Sequence, residues 1–149
     1  MADYPTVHLT IQDRVAILAI DHPPVNALDE KTLSDLKAAF GAAVDNNEIK
    51  VIVITGDNKS FVAGADIRDL AAMPTVELAA EKAEQGQRLF NQIECAPKPV
   101  IAAINGRYCL GGGNELAMAC HLRIAEEGAE FGQPEIKLGL VPGWGASKR

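Results

Sequence analysis

Residues 99–117 read PVIAAINGRYCLGGGNELA. Val100-Ile101-Ala102-Ala103-Ile104 is an apolar run of strand length, fenced by Pro97-Lys98-Pro99 and ended by Asn105-Gly106. Leu110-Gly111-Gly112-Gly113-Asn114-Glu115-Leu116-Ala117 follows, with a helix expected over 114–120. Consecutive glycines are costly to order, because glycine loses more backbone freedom on folding than any other residue. Glycine also permits positive φ and lets other groups approach the backbone closely. A helix starting here would point unpaired N–H groups outward, and those donors with the helix dipole suit a developing negative charge. Helical side chains lean toward the N-terminus, so the Glu115 carboxylate can reach the same spot. That combination suits proton transfer beside an oxyanion. On these eight residues alone, a tight loop with a glutamate in a first helical turn is the simpler reading.

Outward from this stretch, apolar strands alternate with helices. Residues 6–21 predict two strands around a turn at Gln12-Asp13-Arg14. Asp29 can cap a helix running to about Asn46, with Leu33, Leu36, Phe40 and Val44 at helical spacing. Residues 51–56, VIVITG, read as a buried strand. Asp66 could cap a short helix ending before Pro74. Thr75 could cap a longer one over 76–95, with Val76, Ala79, Ala83, Leu89, Phe90 and Ile93 inward. Residues 122–125 read as a strand, and residues 131–149 as loop-rich. The pattern favours an α/β fold with a mostly parallel sheet.

The 149 residues suit one domain, with 48% hydrophobic and 23% charged residues. A net charge of −6 argues against nucleic acid as a partner, since a phosphate backbone needs a basic face. No stretch approaches the roughly 18 apolar residues of a membrane span. Residues 1–14 have acids and no apolar centre, so they do not read as a signal peptide. Three cysteines without CxxC spacing favour reduced core thiols and a cytoplasmic setting. His8, His22 and His121 lack ligand spacing, and no metal is expected. The glycine run is an incomplete dinucleotide fingerprint, with Leu116 in its sixth position. No phosphate-binding G-x-x-x-x-G-K-[ST] or hydrolase G-x-S-x-G is present.

Two further segments resemble the first in kind. Phe61-Val62-Ala63-Gly64-Ala65-Asp66-Ile67 follows a strand with small side chains that leave its backbone open, although taken alone a plain strand-to-helix connection with Asp66 as cap is the simpler reading. Phe131-Gly132-Gln133-Pro134-Glu135 puts an acid in a rigid loop. Spacing does not say whether Glu135 faces Glu115.

Together with Asn26-Ala27-Leu28 and residues 99–106, these segments resemble the enoyl-CoA hydratase/isomerase (crotonase) superfamily. They occur in that family's order and span nearly the whole chain. The resemblance implies a spiral of β-β-α turns and an acyl-CoA thioester substrate, with coenzyme A as part of the substrate and no separate cofactor. It implies an oxyanion hole from the backbone N–H groups of Ala65 and Gly112. It implies that Ala63, Ala65, Asp66, Ile67, Arg68 and Gly112 bind substrate, with Lys59 and Arg68 near the CoA phosphates. Both acids are present, as in the hydratases, so Glu115 would activate water and Glu135 would deliver a proton to the α-carbon. The alternatives are an isomerase or other acyl-CoA lyase, or a non-catalytic acyl-CoA-binding or assembly domain. The family continues beyond Pro142-Gly143 with a Gly-Gly-Thr-Gln-Arg-Leu-like stretch and further helices. Here Gly145-Ala146-Ser147-Lys148-Arg149 stands at that point, so residues 1–149 are expected to be an N-terminal core without its C-terminal helices. Those helices close the acyl pocket and build a trimer or a dimer of trimers in the family. The expectation is therefore a homo-oligomer whose activity depends on them.

Overall fold

The computed structural model describes residues 4–57, 60–66, 69 and 74–149. The larger of the two sheets among the described residues contains β1 (Val7–Gln12), β2 (Val15–Ile20), β3 (Val51–Gly56), β4 (Val100–Ile104) and β6 (Leu122–Ala125). Their order is β1-β2-β3-β4-β6; β1 is antiparallel to β2 and the other neighbours are parallel. The smaller sheet pairs β5 (Tyr108–Leu110) in parallel with β7 (Glu130–Gly132). Among the described residues the α-helices are α1 (Glu30–Asp45), α2 (Val76–Glu94) and α3 (Gly112–Ala119), with a short 3-10 helix over Pro134–Leu138.

The β1–β2 hairpin pairs Gln12 with Val15, leaving Asp13 and Arg14 as its loop with φ of 48° and 68°. Two positive φ values are what a two-residue turn needs to match the strand twist. In β2, β3 and β4 burial alternates. Ala16, Leu18, Ile20, Ile52, Ile54, Val100, Ala102 and Ile104 are fully buried, while the residues between them are only half covered. The near-continuous apolar runs therefore serve one fully packed face and one partly covered face.

Asp29 caps α1 by accepting from the Thr32 N–H at 2.7 Å, and Leu36, Ala39, Phe40 and Ala43 enter the core. Asp35 is buried on the same helix. It accepts from Thr6 N at 3.1 Å, Thr6 Oγ1 at 2.8 Å and Lys31 Nζ at 2.5 Å. Burial pushes its carboxyl up, but these hydrogen bonds outweigh that and hold it below the usual range. Thr75 caps α2 through the Leu78 N–H, as expected. Only the C-terminal half of α2 joins the core, at Gly86, Leu89, Phe90 and Ile93; Ala79 and Ala83 are half-buried and Val76 is 81% exposed. The short helix expected after Asp66 falls largely outside the described residues.

The spiral implied by the resemblance is visible in how the chain alternates between layers. β4 joins the large sheet and β5 the small one; β6 and β7 repeat the move alongside them. One turn earlier, β3 lies in the large sheet and Val62 bridges Cys109 of β5. One turn earlier again, β2 lies in the large sheet and Leu28 bridges Ala65. Residues 131–149 are thus less irregular than their composition suggests. A three-residue strand and a 3-10 turn are too short to leave a periodic signal.

Two asparagines hold successive turns together. Asn26 is 2% exposed and sits at φ 56°. Its amide donates to the carbonyls of Asp57 (2.9 Å), Ser60 (2.8 Å) and Phe61 (3.3 Å), and its oxygen accepts from His22 N at 2.9 Å. Asn105 donates to Gly56 O at 2.7 Å and accepts from Gly56 N at 3.1 Å and Thr55 Oγ1 at 2.9 Å. His121 accepts from Val100 N and reaches Glu94 O, both at 3.0 Å, so the neutral ring with its proton on Nε2 ties α2 to β4. Cys109 and Cys120 are core thiols whose pKa burial raises to about 12; Cys95, also expected inside, is exposed.

Asn26→Ala would leave the buried carbonyls of Ser60 and Phe61 without this donor. Each such group costs about 1–3 kcal/mol, so the variant is expected to lose roughly 2–5 kcal/mol in a urea unfolding experiment. A loss below ~0.5 kcal/mol would mean that Asn26 is not the latch between these loops.

Candidate active site

β5 turns into α3 at Gly111, the residue preceding the helix, with φ 52° and ψ −124°. Side chains other than hydrogen rarely tolerate that backbone. Gly111 N donates to Gly132 O of β7 at 2.8 Å, which anchors the turn to the next layer of the spiral. The helix itself begins at Gly112, two residues before the expected start, so Gly112 and Gly113 form its first turn. A Cβ built on Gly113 would stand 2.3 Å from Val62 O. One on Gly112 would stand 2.3 Å from Trp144 Cζ3, and one on Gly111 2.9 Å from Glu135 Oε1. Each glycine therefore makes room for a different neighbour.

Ala65 reaches the same place from another turn of the spiral. Leu28 N donates to Gly64 O at 2.8 Å, and Asp66 N donates to Leu28 O at 3.3 Å. In a parallel bridge of this kind the residue between the two bonded neighbours turns its own N–H away from the partner. The Ala65 N–H is so directed and has no backbone acceptor among the described residues. Ala65 N lies 3.5 Å from the Cβ position of Gly112. The N–H groups of the first helical turn have no partner within their own helix. Ala65 and the start of α3 thus present backbone donors on two sides of one small space, where an oxygen acquiring negative charge could be held.

Glu115 lies one turn into α3 and is 2% exposed. Its Oε1 accepts from Trp144 N at 2.8 Å and Ala146 N at 3.0 Å. A buried carboxylate needs such donors to offset its lost hydration. Glu135 follows Pro134 in the 3-10 helix and is half-buried against Gly111. With its amide nitrogen turned toward the carboxylate, Gln133 donates to the two Glu135 oxygens at 3.1 and 3.0 Å. Partial burial raises the Glu135 pKa, its own N–H opposes the rise, and the charge of Glu115 adds to it. The fold therefore brings Glu135 and Glu115 to one glycine turn, although nineteen intervening residues give no hint of it.

A cavity of about 380 Å³ opens beside Ala65 and Asp66. Leu28, Leu33, Leu89 and Trp144 give it an apolar side, and Lys37, Lys82 and Arg88 contribute positive charge. Lys82 also pairs with Glu30 at 3.3 Å and Arg88 with Glu84 at 2.7 Å. Ala63 donates to Val25 O at 3.1 Å and serves the loop that carries Ala65. Ile67, Arg68 and Lys59 lie outside the described residues.

Sequence reasoning missed Trp144, the donors from 144 and 146, and Gln133. The only signal was Pro142-Gly143-Trp144-Gly145, a lone aromatic among turn residues. It also missed a juxtaposition at the end of the sheet. His8, Asp21 and Asp57 place possible ligand atoms within 4.8 Å of one another, an arrangement common in exposed acidic groups without a metal.

The sequence model of the enoyl-CoA hydratase/isomerase family matches residues 10–149. A crotonyl-CoA hydratase of Syntrophomonas wolfei is 45% identical over 148 residues, covering 98% of this chain and 56% of that protein. A short-chain-enoyl-CoA hydratase of Clostridium acetobutylicum is 42% identical over 145 residues, covering 96% and 55%. The structure of an enoyl-CoA hydratase from Thermoplasma volcanium superposes with a TM-score of 0.88 at 35% identity, covering 93% of this chain and 55% of that one. The chain thus spans little more than half the length of these relatives. With the glycine turn, the asparagine latches and the spiral in place, it belongs to the enoyl-CoA hydratase/isomerase family.

Proposed function

We propose that this site adds water reversibly across the double bond of a 2-enoyl-CoA thioester, giving a 3-hydroxyacyl-CoA. The observation that carries the reading is that Glu115, Glu135 and Ala65 N all lie at the start of α3, and we assign the oxyanion hole to the Ala65 and Gly112 N–H groups. The thioester oxygen lies between the two N–H groups, which stabilise the enolate that forms when C3 is attacked. Losing one donor of this kind typically costs ~2.7–4 kcal/mol of barrier. Glu115, as carboxylate, takes a proton from water as the oxygen bonds to C3. Glu135, as acid, gives its proton to C2. One water is consumed and no electrons are exchanged, so coenzyme A enters as part of the substrate and the chemistry calls for no further cofactor.

The asymmetry between the acids supports these roles. Glu115 is held by two backbone N–H donors, whereas partial burial and the Glu115 charge raise the Glu135 pKa. In this reading the protein acts in fatty-acid oxidation in the cytoplasm as a homo-oligomer.

Glu115→Gln and Glu135→Gln are each expected to lower hydration of crotonyl-CoA by about 10²–10⁴-fold, followed by loss of the enoyl thioester's ultraviolet absorbance. Glutamine at 115 keeps an oxygen for the Trp144 and Ala146 N–H groups, so the melting temperature should change little. An isomerase would instead retain activity on a 3-enoyl-CoA in the Glu115→Gln variant. Tight acyl-CoA binding without turnover by the unaltered protein would rule out both enzymes in favour of a binding domain.

A second expectation concerns pH. Glu135 must be protonated to act, so hydration should fall as pH rises through its raised pKa. The linked stability has the same sign: it is fully present below the unfolded value of about 4.3 and declines as pH rises through the folded value. Glu115→Gln removes one upward push, so the Glu135 carboxyl should titrate at lower pH. Carbon-13 NMR of the labelled carboxyl checks this; an unmoved titration would mean the two acids are not coupled.

A further inference from the structure

Trp144 is the single tryptophan of the chain. Its indole sits in a cradle made by two glycines on different helices. A Cβ on Gly86 of α2 would stand 2.3 Å from Nε1, and one on Gly112 of α3 would stand 2.3 Å from Cζ3. Glycine weakens a helix interior, and at Gly86 the close approach of the ring is the reason for it. Phe90 meets the indole edge-on at 5.6 Å between centroids. The backbone beneath the ring is tied on several sides. Trp144 N donates to Glu115, Arg149 donates to Trp144 O at 2.6 Å, and Gln87 donates to Gly143 O at 2.7 Å. Arg149 in turn bonds Glu94 at 2.9 Å and also Asn91. The ring is therefore a fixed wall. It borders the cavity beside Ala65.

We propose that Trp144 sets the acyl-chain length that the site accepts, confining it to short, crotonyl-sized 2-enoyl-CoA esters. The proposal rests on the hydratase reading above and names its substrate class. A longer chain has to run into the indole, which cannot retreat because Gly86 and Gly112 already lie against it. Trimming the ring opens room continuous with the cavity.

The test compares kcat/KM for crotonyl-CoA and trans-2-octenoyl-CoA in the purified protein and in Trp144→Ala and Trp144→Phe. The unaltered protein should prefer crotonyl-CoA. Trp144→Ala should move the ratio toward octenoyl-CoA by roughly tenfold or more, with Trp144→Phe between them. A ratio of rates on one preparation cancels losses from imperfect folding. If Trp144→Ala does not fold, the phenylalanine variant and a titration of the unaltered protein decide. Butyryl-CoA, which cannot be hydrated, should change the emission of the lone indole in a saturable way, and octanoyl-CoA should bind more weakly. Equal use of both enoyl substrates by the unaltered protein overturns the proposal while leaving the hydratase reading intact. So does an unchanged ratio in the variants, or butyryl-CoA binding by calorimetry with no change in emission. Failure to turn over any enoyl-CoA is the distinct result that sinks the hydratase reading, and the substrate assignment of Trp144 with it.

Discussion

At the junction of β5 and α3 the chain has room for backbone alone. Val62 stands against Gly113, Trp144 against Gly112 and Glu135 against Gly111, each at a distance that a methyl group would violate. Those neighbours come from three different parts of the chain. Packing them around a bare backbone stacks one layer of the spiral on the next. It also sets Ala65 N beside the first turn of α3. A side chain at any of the three positions would displace backbone or another part of the site, and interiors at crystal-like density absorb such shifts poorly.

The carboxylates depend on this junction in opposite ways. Glu115 is taken almost wholly out of water, a penalty of several kcal/mol for an uncompensated ion, and two backbone N–H groups near the end of the chain answer it. Hydrogen bonds to a charged group contribute roughly 1.5–3 kcal/mol each, so the acid and residues 144–146 order one another. Gln133 donates to both oxygens of Glu135, yet partial burial and the Glu115 charge still raise its pKa.

Much of the frame was legible in the residues. Period-two and β-branched runs placed β1 to β4 and β6, because their burial is local in sequence and leaves a pattern. Asp29 and Thr75 announced α1 and α2, since a capping oxygen bonds an N–H only three residues away. The start of α3 was misplaced by two residues because glycine at 112 and 113 is a poor helix former whose use is decided by neighbours distant in sequence. β5 and β7 were missed because three residues carry no periodicity. Val76 has the helical spacing of an inward residue, yet α2 meets the core only from Gly86 onward.

The sequence by itself determined the α/β class, the caps, the hairpin and, through motifs in order, the family. Those features depend on near neighbours or on residue identity. Tertiary structure alone decided that Glu135 feels the charge of Glu115, that Ala65 N lies beside Gly112, that Asn26 and Asn105 are latches, and that a lone tryptophan borders the cavity. Each of these joins residues from separate turns of the spiral, and a distance through space leaves no mark on the spacing along a chain.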